Sequence, residues 1–249
     1  MSKPKISVIT VVFNSEKFIE ETIKSIINQD YDNLEYIIID GKSTDRTMEI
    51  VEKYSEKISK IISENDSGLY DAMNKGLRIS TGDFVMFINS GDRLVGGKVL
   101  SEIFSNLSGD EDVIYGDTDI IDFQGNIIHS RRHRPPENLR KKDFLKGMLV
   151  CHQSFIARRE LCEGYDLTYR YAADYDWCLR VLEKSSKNFN SHKTISLFME
   201  GGQTQKTIVP GLKERYKIMC RHFGWFRATF WNGILAVKFF WWILFHKWF

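Results

Sequence analysis

The 249-residue sequence lacks the signatures of several protein classes. Its four cysteines have no CxxC spacing, which argues against a zinc site or a disulfide framework and favours reduced thiols in a cytoplasmic setting. A net charge of +2 is too small to predict binding to nucleic acid. The sequence shows no internal repeat, and because its first residues enter a strand pattern directly, we expect no signal peptide.

Hydrophobic residues make up 43% of the chain and charged residues 27%, so it can bury a core as one large domain or two small ones. Apolar runs of strand length alternate with helical patterns in the first part of the chain. This alternation predicts a parallel sheet covered by helices on both faces. The predicted strands are residues 5–12, 34–39, 58–62 and 84–88, and the helices begin near Asn14 or Ser15 as a cap, at residue 46 and at residue 69.

Each predicted strand ends in a polar loop, and the carboxyl ends of parallel strands meet at one edge of a sheet. We therefore expect one nucleotide-sized site at that edge. Neither GxGxxG after the first strand nor GxxxxGK[ST] is present, which excludes the dinucleotide fingerprint and the P-loop. An acid-rich, glycine-poor edge suits a uridine or similar base and its ribose, with the phosphates neutralised by a metal. Its residues are Phe13, Asn14, Asp40, Ser43, Asp45, Glu64, Asp66, Asn89, Ser90 and Asp92.

The stretch TGDFVMFINSGD, residues 81–92, combines a turn, a buried strand and a loop rich in oxygen ligands. Asn89, Ser90 and Asp92 form a hard-ligand set that suits Mg²⁺ or Mn²⁺, and such an ion usually brings a phosphate with it. The alternative is a plain β-turn, because Asn, Ser, Gly and Asp are common turn residues.

The second half changes character. Short antiparallel strands are predicted in residues 113–129, a further strand at residues 151–155, a helix at 172–182 and a last strand at 189–199. Residues 131–146 form a basic run, which is either a solvated surface or a contact for a phosphorylated or membrane-surface partner. Residues 200–204 read as a polar loop able to offer backbone N–H groups to a phosphate.

Three segments resemble inverting glycosyltransferase family 2: SVITVVFNSEKFIEETIKSIINQ, EYIIIDGKSTDRT and SENDSGLYDAMNKGLRISTGDFVMFINSGD. The likeness covers roughly residues 5–204 and extends to bacterial O-antigen and capsule transferases. It implies an α/β fold of the GT-A nucleotide-diphospho-sugar transferase type, with a single mixed, mostly parallel sheet flanked by helices.

The resemblance also implies roles on the donor side. Thr10, Phe13, Asn14 and Asp40 are expected around the base and ribose, and Asp66 and Asn74 near the nucleotide-sugar. The metal motif of the family, DxD, is matched here by NSGD at residues 89–92. Asn89 stands where the motif has its first acid, so Asp92 is the one charged ligand left in this loop. We therefore expect this change to affect how tightly the loop holds Mn²⁺ or Mg²⁺.

AADYDWCLR, residues 172–180, is similar to the acidic helix start in which the family places its catalytic base, and Asp174 takes that position. A sugar hydroxyl must lose its proton as it attacks the anomeric carbon, and a carboxylate within hydrogen-bond reach accepts that proton. Asp174 is alternatively a partner of the helix dipole. Asp176 lies on a different side of the helix and is predicted to orient the acceptor, again with the helix dipole as the alternative. The remaining matches are His152 and Gln153 on the acceptor side and Gly201 and Gly202 on the diphosphate side, with a buried core histidine as the alternative for His152.

The last 27 residues, 223–249, hold five of the six tryptophans. Tryptophan with flanking Arg and Lys fits the headgroup region of a membrane. We predict a catalytic domain of residues 1–222, divided at residue 92 into nucleotide-binding and acceptor-binding halves, followed by a membrane-associating segment. The alternatives are a helix packed on a partner or a second copy, and a spanning helix slightly short of the required length.

The sequence thus predicts a glycosyltransferase at the cytoplasmic face of the inner membrane. It would move a sugar from a nucleotide-sugar, most simply a UDP-sugar, to a glycan acceptor linked to undecaprenyl diphosphate. Two rivals are a catalytically weak scaffold of the same fold, which the altered metal loop favours and Asp174 opposes, and a sugar nucleotidyltransferase. The latter should carry a glycine-rich, lysine-bearing loop after the first strand, which FNSE is not.

Overall fold

A computed structural model describes residues 3–201 and 208–246, without the side chains of residues 208 and 238–246. The strands pair in the order β3-β2-β1-β4-β8-β6-β9-β5, with β7 added to β6. They are β1 (Ile6–Val12), β2 (Leu34–Asp40), β3 (Lys60–Ser63), β4 (Phe84–Phe87), β5 (Arg93–Leu94), β6 (Val113–Ile121), β7 (Ile127–Ser130), β8 (Phe155–Arg158) and β9 (Asn188–Met199). The α/β class and the single mixed sheet are confirmed.

The first four strands form the predicted parallel unit. Ile6 of β1 lies opposite Leu34 of β2 on one side and Phe84 of β4 on the other, in parallel register. All seven residues of β1 are buried, as expected for the central strand of a sheet that is covered on both faces. This order brings the carboxyl ends of β1, β2, β3 and β4 to one edge.

The second half extends the sheet with mixed pairing. β8 joins β4 antiparallel, and β6 runs antiparallel to β8 and β7 but parallel to β9. The strands predicted separately in residues 113–123 are one strand, β6. Residues 151–155 were predicted as a strand, but His152–Ser154 is a 3₁₀ turn and β8 begins only at Phe155.

The helices cover both faces of the sheet. On one face lie α1 (Ile19–Ile27), α2 (Thr47–Glu52) and α4 (Val99–Phe104). On the other lie α3 (Leu69–Ile79), α5 (Ala173–Lys184), α6 (Ile208–Phe223) and the start of α7 (Trp225–His246). Alternation along β1 feeds both cores, because Ile9 and Val11 face the second group while Ile6, Val8 and Val12 face the first.

The predicted cap of α1 is wrong. The helix begins at Ile19 and has no side-chain cap. The Ser15 hydroxyl pairs with Ser90 Oγ at 2.7 Å instead, and the Asn14 side-chain oxygen accepts the Thr44 N–H at 2.8 Å. Both residues therefore tie neighbouring loops together.

The two last helices meet at Gly224, whose φ of 82° favours glycine. α7 packs inward through Ala228, which is fully buried, and Asn232, whose side-chain N–H donates to the carbonyl of Ala228. Within the described ranges, no helical segment combines the length and hydropathy that a bilayer-spanning helix requires. The predicted division of the chain near residue 222 stays a prediction.

Candidate active site

Asp40 ends β2 and organises the loops around it. Its fully buried carboxylate accepts hydrogen bonds from the Ser43 hydroxyl at 2.5 Å and the Ser63 hydroxyl at 2.6 Å, and also from the Ser43 N–H. The Ser43 hydroxyl in turn accepts the Asn14 N–H at 2.8 Å. The ends of β1, β2 and β3 are thus held together by one acid. Both carboxylate oxygens of Asp40 already accept hydrogen bonds from neighbouring loops.

Phe13 and Asp66 lie beside this network. Phe13 is 61% exposed at the end of β1, a high value for a phenylalanine. A Cβ on Gly41 would fall 2.4 Å from Asp66 Oδ2 and 3.3 Å from the Phe13 ring, so glycine is what allows the three residues to meet. An exposed aromatic face next to a carboxylate is a suitable surface for a planar base and its ribose.

Two predicted donor residues are turned to other contacts. Thr10 is fully buried, where its hydroxyl donates to the Ile88 carbonyl at 2.8 Å and accepts from Tyr36. Asn74 on α3 bonds both backbone groups of Tyr165, accepting its N–H at 2.6 Å and donating to its carbonyl at 3.0 Å. These contacts are structural, and a direct donor role for either residue stays a prediction.

The NSGD loop presents Asp92 at the end of β4. Gln153 Nε2 donates to one carboxylate oxygen at 2.7 Å and the Met199 N–H to the other at 3.0 Å. Burial raises the pKa of Asp92 to about 7, although both hydrogen bonds oppose the rise. Gln153, predicted on the acceptor side, is therefore a partner of the proposed metal ligand.

Asp92 and Asn89 offer oxygen atoms of the kind that a divalent ion binds. A desolvated carboxylate gains from a nearby positive charge. Asn89 Oδ1, in the same loop, is buried and accepts no hydrogen bond from a described residue. Ser90 is tied to Ser15. In the part of the chain that the structure describes, no three His, Cys, Asp or Glu side chains converge as a complete protein-only metal cluster.

His152 lies in an aromatic cluster between the two halves of the site. Its ring stacks on Phe87 at 5.2 Å, lies edge-on to Trp177 at 5.6 Å, and shares a 2.7 Å hydrogen bond with the Tyr165 hydroxyl. Burial lowers its pKa to about 3. The ring is therefore neutral at physiological pH, and the alternative of a buried core histidine fits these contacts.

Asp174 lies in the first turn of α5 and is partly buried. Its Oδ1 accepts the Tyr70 hydroxyl at 3.1 Å and the Tyr175 N–H at 2.9 Å, whereas Oδ2 accepts no hydrogen bond from a described residue. Burial raises its pKa, and the two hydrogen bonds and the charge of Arg131 oppose the rise. One carboxylate oxygen is thus oriented by two hydrogen-bond donors.

Asp176 has a different environment from Asp174. It is fully buried and accepts Arg180 Nε at 2.7 Å and His222 Nε2 at 2.8 Å. Burial alone would raise its pKa, but these hydrogen bonds lower it. The contacts join α5 to α6, which favours a structural role over the predicted acceptor role.

Asp174 and the NSGD loop are connected through a series of contacts. Tyr70, which donates to Asp174, stacks on Tyr165 at 5.5 Å, and Tyr165 bonds His152. The next residue along the chain is Gln153, which bonds Asp92. Tyr70 was not selected from the sequence because a tyrosine on an amphipathic helix reads as core, and no short-range pattern marks its contact with Asp174.

Several residues of the basic run have defined partners. Arg134 pairs with Asp117 at 2.9 Å and Lys141 with Glu183 at 2.6 Å. Arg131 donates to the carbonyls of Met148 and Leu149, and it has no ion-pair partner among residues 3–201 and 208–246. Its charge acts on Asp174.

The predicted diphosphate loop is described only in part. Gly201 has a φ of 92°, and a Cβ there would meet the Phe123 ring at 2.6 Å. A larger residue at this position would therefore be strained and crowded. Gly202 lies outside the described residues.

The parallel sheet edge, its acidic loops and the carboxylate on the neighbouring helix define a transferase of the GT-A fold. Comparison with known proteins agrees. Residues 7–165 match glycosyl transferase family 2. A PGL/p-HBAD biosynthesis glycosyltransferase of Mycobacterium bovis is 28% identical over 218 residues, covering 84% of this chain and 82% of that protein. An uncharacterized glycosyltransferase of Mycobacterium tuberculosis is 34% identical over 186 residues, 72% of this chain and 70% of its own length.

Solved structures show the same fold at lower identity. TarS of S. aureus aligns with a TM-score of 0.68 and 20% identity over 88% of this chain, which spans 40% of the TarS chain. The mannosyltransferase PcManGT from Pyrobaculum calidifontis, in complex with GDP-Man and Mn²⁺, aligns with a TM-score of 0.66 and 18% identity, over 88% of this chain and 65% of its own. The chain belongs to glycosyl transferase family 2 and is a glycosyltransferase.

Proposed function

We propose that this glycosyltransferase moves a sugar from a UDP-sugar, with inversion, to a lipid-linked glycan acceptor during synthesis of a bacterial surface polysaccharide. The observation that carries the proposal is the geometry of Asp174, whose Oδ1 is fixed by Tyr70 and Tyr175 while Oδ2 accepts no hydrogen bond from a described residue. Side-chain contacts connect this carboxylate to Asp92 on the donor side. One residue is thus prepared to receive a proton and another to meet the phosphates.

Asp174 would act as the general base. It takes the proton of the acceptor hydroxyl as the hydroxyl oxygen attacks the anomeric carbon from the face opposite the leaving nucleoside diphosphate, so the configuration inverts. Burial raises the pKa of Asp174 from that of an ordinary aspartate, which makes it a stronger base. Tyr70 holds the ionised form in place, since burial keeps its own hydroxyl protonated.

On the donor side, Phe13 and Asp66 would contact the base and ribose, and Asp40 would hold the loops that shape their pocket. Asp92, with Asn89 as a neutral oxygen ligand, would hold Mn²⁺ or Mg²⁺, and the bound ion supplies positive charge for the leaving diphosphate. Gln153 orients the Asp92 carboxylate, which is the usual role of an outer partner at a metal site.

The lipid-linked acceptor is supported by two features. The positive charge of Arg131 acts on Asp174, and Arg131 lacks an ion-pair partner among the described residues, which suits a phosphorylated acceptor. On α7, the side chains of Trp225, Phe226 and Phe230 are 64%, 80% and 63% exposed. Exposed aromatic side chains of this kind suit the headgroup region of a membrane, and we place the chain peripherally on the cytoplasmic face of the inner membrane.

Release of nucleoside diphosphate tests the enzymatic part. Wild-type protein is incubated with UDP-glucose, UDP-GlcNAc or GDP-mannose, with polyprenyl-diphosphate-linked GlcNAc in mixed micelles as acceptor, with and without Mn²⁺. We expect acceptor-dependent release of UDP from a UDP-sugar and transfer of the sugar to the lipid. Absence of release with all three donors would favour the scaffold alternative, and release from GDP-mannose alone would change the proposed donor.

Vesicle flotation tests the membrane part. Full-length protein is mixed with vesicles of phosphatidylglycerol and phosphatidylethanolamine, and a variant with Trp225, Phe226 and Phe230 changed to serine is compared with it. We expect the variant to float at least about tenfold less, because three exposed aromatic contacts are lost. Equal flotation of both proteins would show that these side chains do not contact the membrane.

A further inference from the structure

The N-cap residue of the helix that carries the proposed base has no capping side chain. α5 begins after Ala172, whose side chain cannot accept a hydrogen bond, and within the first turn Asp174 Oδ1 accepts the Tyr175 N–H. The N–H groups at the start of a helix have no partner inside the helix, so an uncapped start frays or needs an acceptor from elsewhere. Asp174 lies in this first turn, so its position depends on how the turn is held.

The residues that lead into α5 are held by an acceptor on α6. Glu214 accepts hydrogen bonds from the backbone N–H groups of three successive residues ahead of α5, Arg170 at 2.9 Å, Tyr171 at 2.7 Å and Ala172 at 3.1 Å. One carboxylate, more than 40 positions along the chain, thus satisfies the N–H groups of the turn that leads into the base. Its negative charge also lies at the positive end of the helix dipole.

Two further contacts hold the same segment from α6. Arg221 pairs with Asp166 at 3.0 Å before the turn, and His222 bonds Asp176 at 2.8 Å after it. Residues 163–172 form no helix or strand, so their position depends on contacts of this kind. Asp174 is therefore held on both sides by one helix that lies outside the matched family region, residues 7–165.

We propose that Glu214 is a positioning residue for the transfer reaction: by accepting the three N–H groups ahead of α5, it holds Asp174 where Tyr70 and the acceptor hydroxyl can reach it. The inference rests on the proposed function, in which Asp174 is the base. The charge of Glu214 also acts on Tyr70, whose hydroxyl donates to Asp174. This agrees with a position of Glu214 close to the proposed base. Small displacements of a catalytic group have large effects on rate, so the loss of this contact should lower kcat.

The experiment compares Glu214→Gln and Glu214→Ala with wild type and with Glu183→Gln as a matched control. Glu183 is also a helical glutamate with one strong partner, Lys141, but it lies at the far end of α5. Turnover of UDP-GlcNAc with polyprenyl-diphosphate-linked GlcNAc is measured at a temperature well below the melting point of every variant, so that folded protein is assayed. We expect kcat to fall about tenfold or more in Glu214→Gln and further in Glu214→Ala, with KM for the donor unchanged within about twofold.

A second arm separates positioning from general destabilisation. Adding Glu214→Gln to Asp174→Asn should not lower the residual rate further, because Glu214 acts through a base that is already absent. Glu183→Gln should keep kcat within about twofold of wild type. A Glu214→Gln variant with a lower melting temperature but unchanged kcat, or a double variant whose losses multiply, would overturn the inference. Wild type without turnover, or a fully active Asp174→Asn, would instead overturn the proposed function.

Discussion

Two regions are held in different ways: the sheet edge where β1, β2, β3 and β4 end, called the donor edge here, and α5, which carries the proposed base Asp174 and is called the base helix. At the donor edge, loops that follow neighbouring strands bond one another, as Asp40 does with Ser43 and Ser63. The base helix is held from distant parts of the chain, by Glu214 and His222 of α6. The first arrangement follows from the order of strands in a parallel sheet, whereas the second requires that the whole second half be folded.

This difference assigns separate tasks to the two regions. The loops at the strand ends are already bonded to each other, so the nucleotide binding proposed for them needs little rearrangement. The proposed base, Asp174, needs an exact position relative to the acceptor, and we propose that α6, a helix beyond the sheet, supplies it. Changes at the base helix should therefore affect turnover and spare donor binding, and changes at the donor edge should do the reverse.

Asp174→Asn is the strongest test of this comparison, because the largest effect is expected for it. An amide keeps the size of the side chain but cannot take the acceptor proton, so we expect transfer to fall by about 10³-fold. Thermal stabilisation by UDP with Mn²⁺ should stay as in wild type. If the variant also loses that stabilisation, the base helix and the donor edge are not separate, and Asp174 has a structural role.

Asp176→Asn comes next and acts on stability. Asp176 is the buried carboxylate between Arg180 and His222, and removing one member of a buried charge pair leaves the others without compensation. We expect the free energy of unfolding in urea to fall by about 3 kcal/mol.

The same variant tests the acceptor role that the sequence predicts for Asp176. If the contacts are structural, KM for the acceptor stays within about twofold of wild type when folded protein is assayed at low temperature. A large rise in that KM with unchanged stability would support the acceptor role. Glu183→Gln serves as the control, because it changes a charge on the same helix at a residue that bonds neither Asp176 nor Arg180.

The donor edge could be predicted from the sequence more fully than the base helix. β1, β2 and β4 were predicted nearly to the residue, because continuous apolar runs bounded by turn residues identify buried strands. The predicted start of the third helix, at residue 69, is confirmed by α3 (Leu69–Ile79). The meeting of the strand ends then follows from parallel topology alone.

Other features depend on distant contacts that no local pattern records. The 3₁₀ turn His152–Ser154 places His152 in the aromatic cluster and Gln153 on Asp92, although the apolar and polar pattern there reads as a strand. Tyr70 and Glu214 occur in ordinary amphipathic helices, and their partners lie far away in sequence. Their roles were accessible only once α3, α5 and α6 were packed together.

Asp92→Asn sharpens the comparison from the donor side. We expect the gain in UDP affinity that Mn²⁺ gives to wild type to fall at least about tenfold, because the one carboxylate of the NSGD loop is lost. Isothermal titration with UDP, with and without Mn²⁺, measures this gain. In Gln153→Ala the same gain should fall by about as much as in Asp92→Asn or by less, because Gln153 only orients the Asp92 carboxylate. An unchanged Mn²⁺ effect in Asp92→Asn would place the ion elsewhere.

The smallest effect is expected for Tyr70→Phe, and it is read from a pH profile. The Tyr70 hydroxyl stabilises ionised Asp174 and so holds its pKa down against burial. Without that hydrogen bond the pKa of Asp174 rises further, so the base is protonated over a wider range of acidic pH. We expect the acid limb of the kcat profile to move to higher pH, with kcat lowered about tenfold on that limb and restored in alkaline buffer.

Tyr36→Phe is the matched control for this shift, since Tyr36 is a buried tyrosine of the donor edge whose hydroxyl donates to Thr10. Removing that hydroxyl should lower stability by about 1 kcal/mol and leave the acid limb in place, because it does not touch the base. A shift in both variants would mean that packing, not the hydrogen bond to Asp174, sets the profile. A shift of the acid limb in Tyr70→Phe but not in Tyr36→Phe would show that the ionisation that limits turnover belongs to the base helix. The two regions would then differ in their chemistry as well as in how they are held.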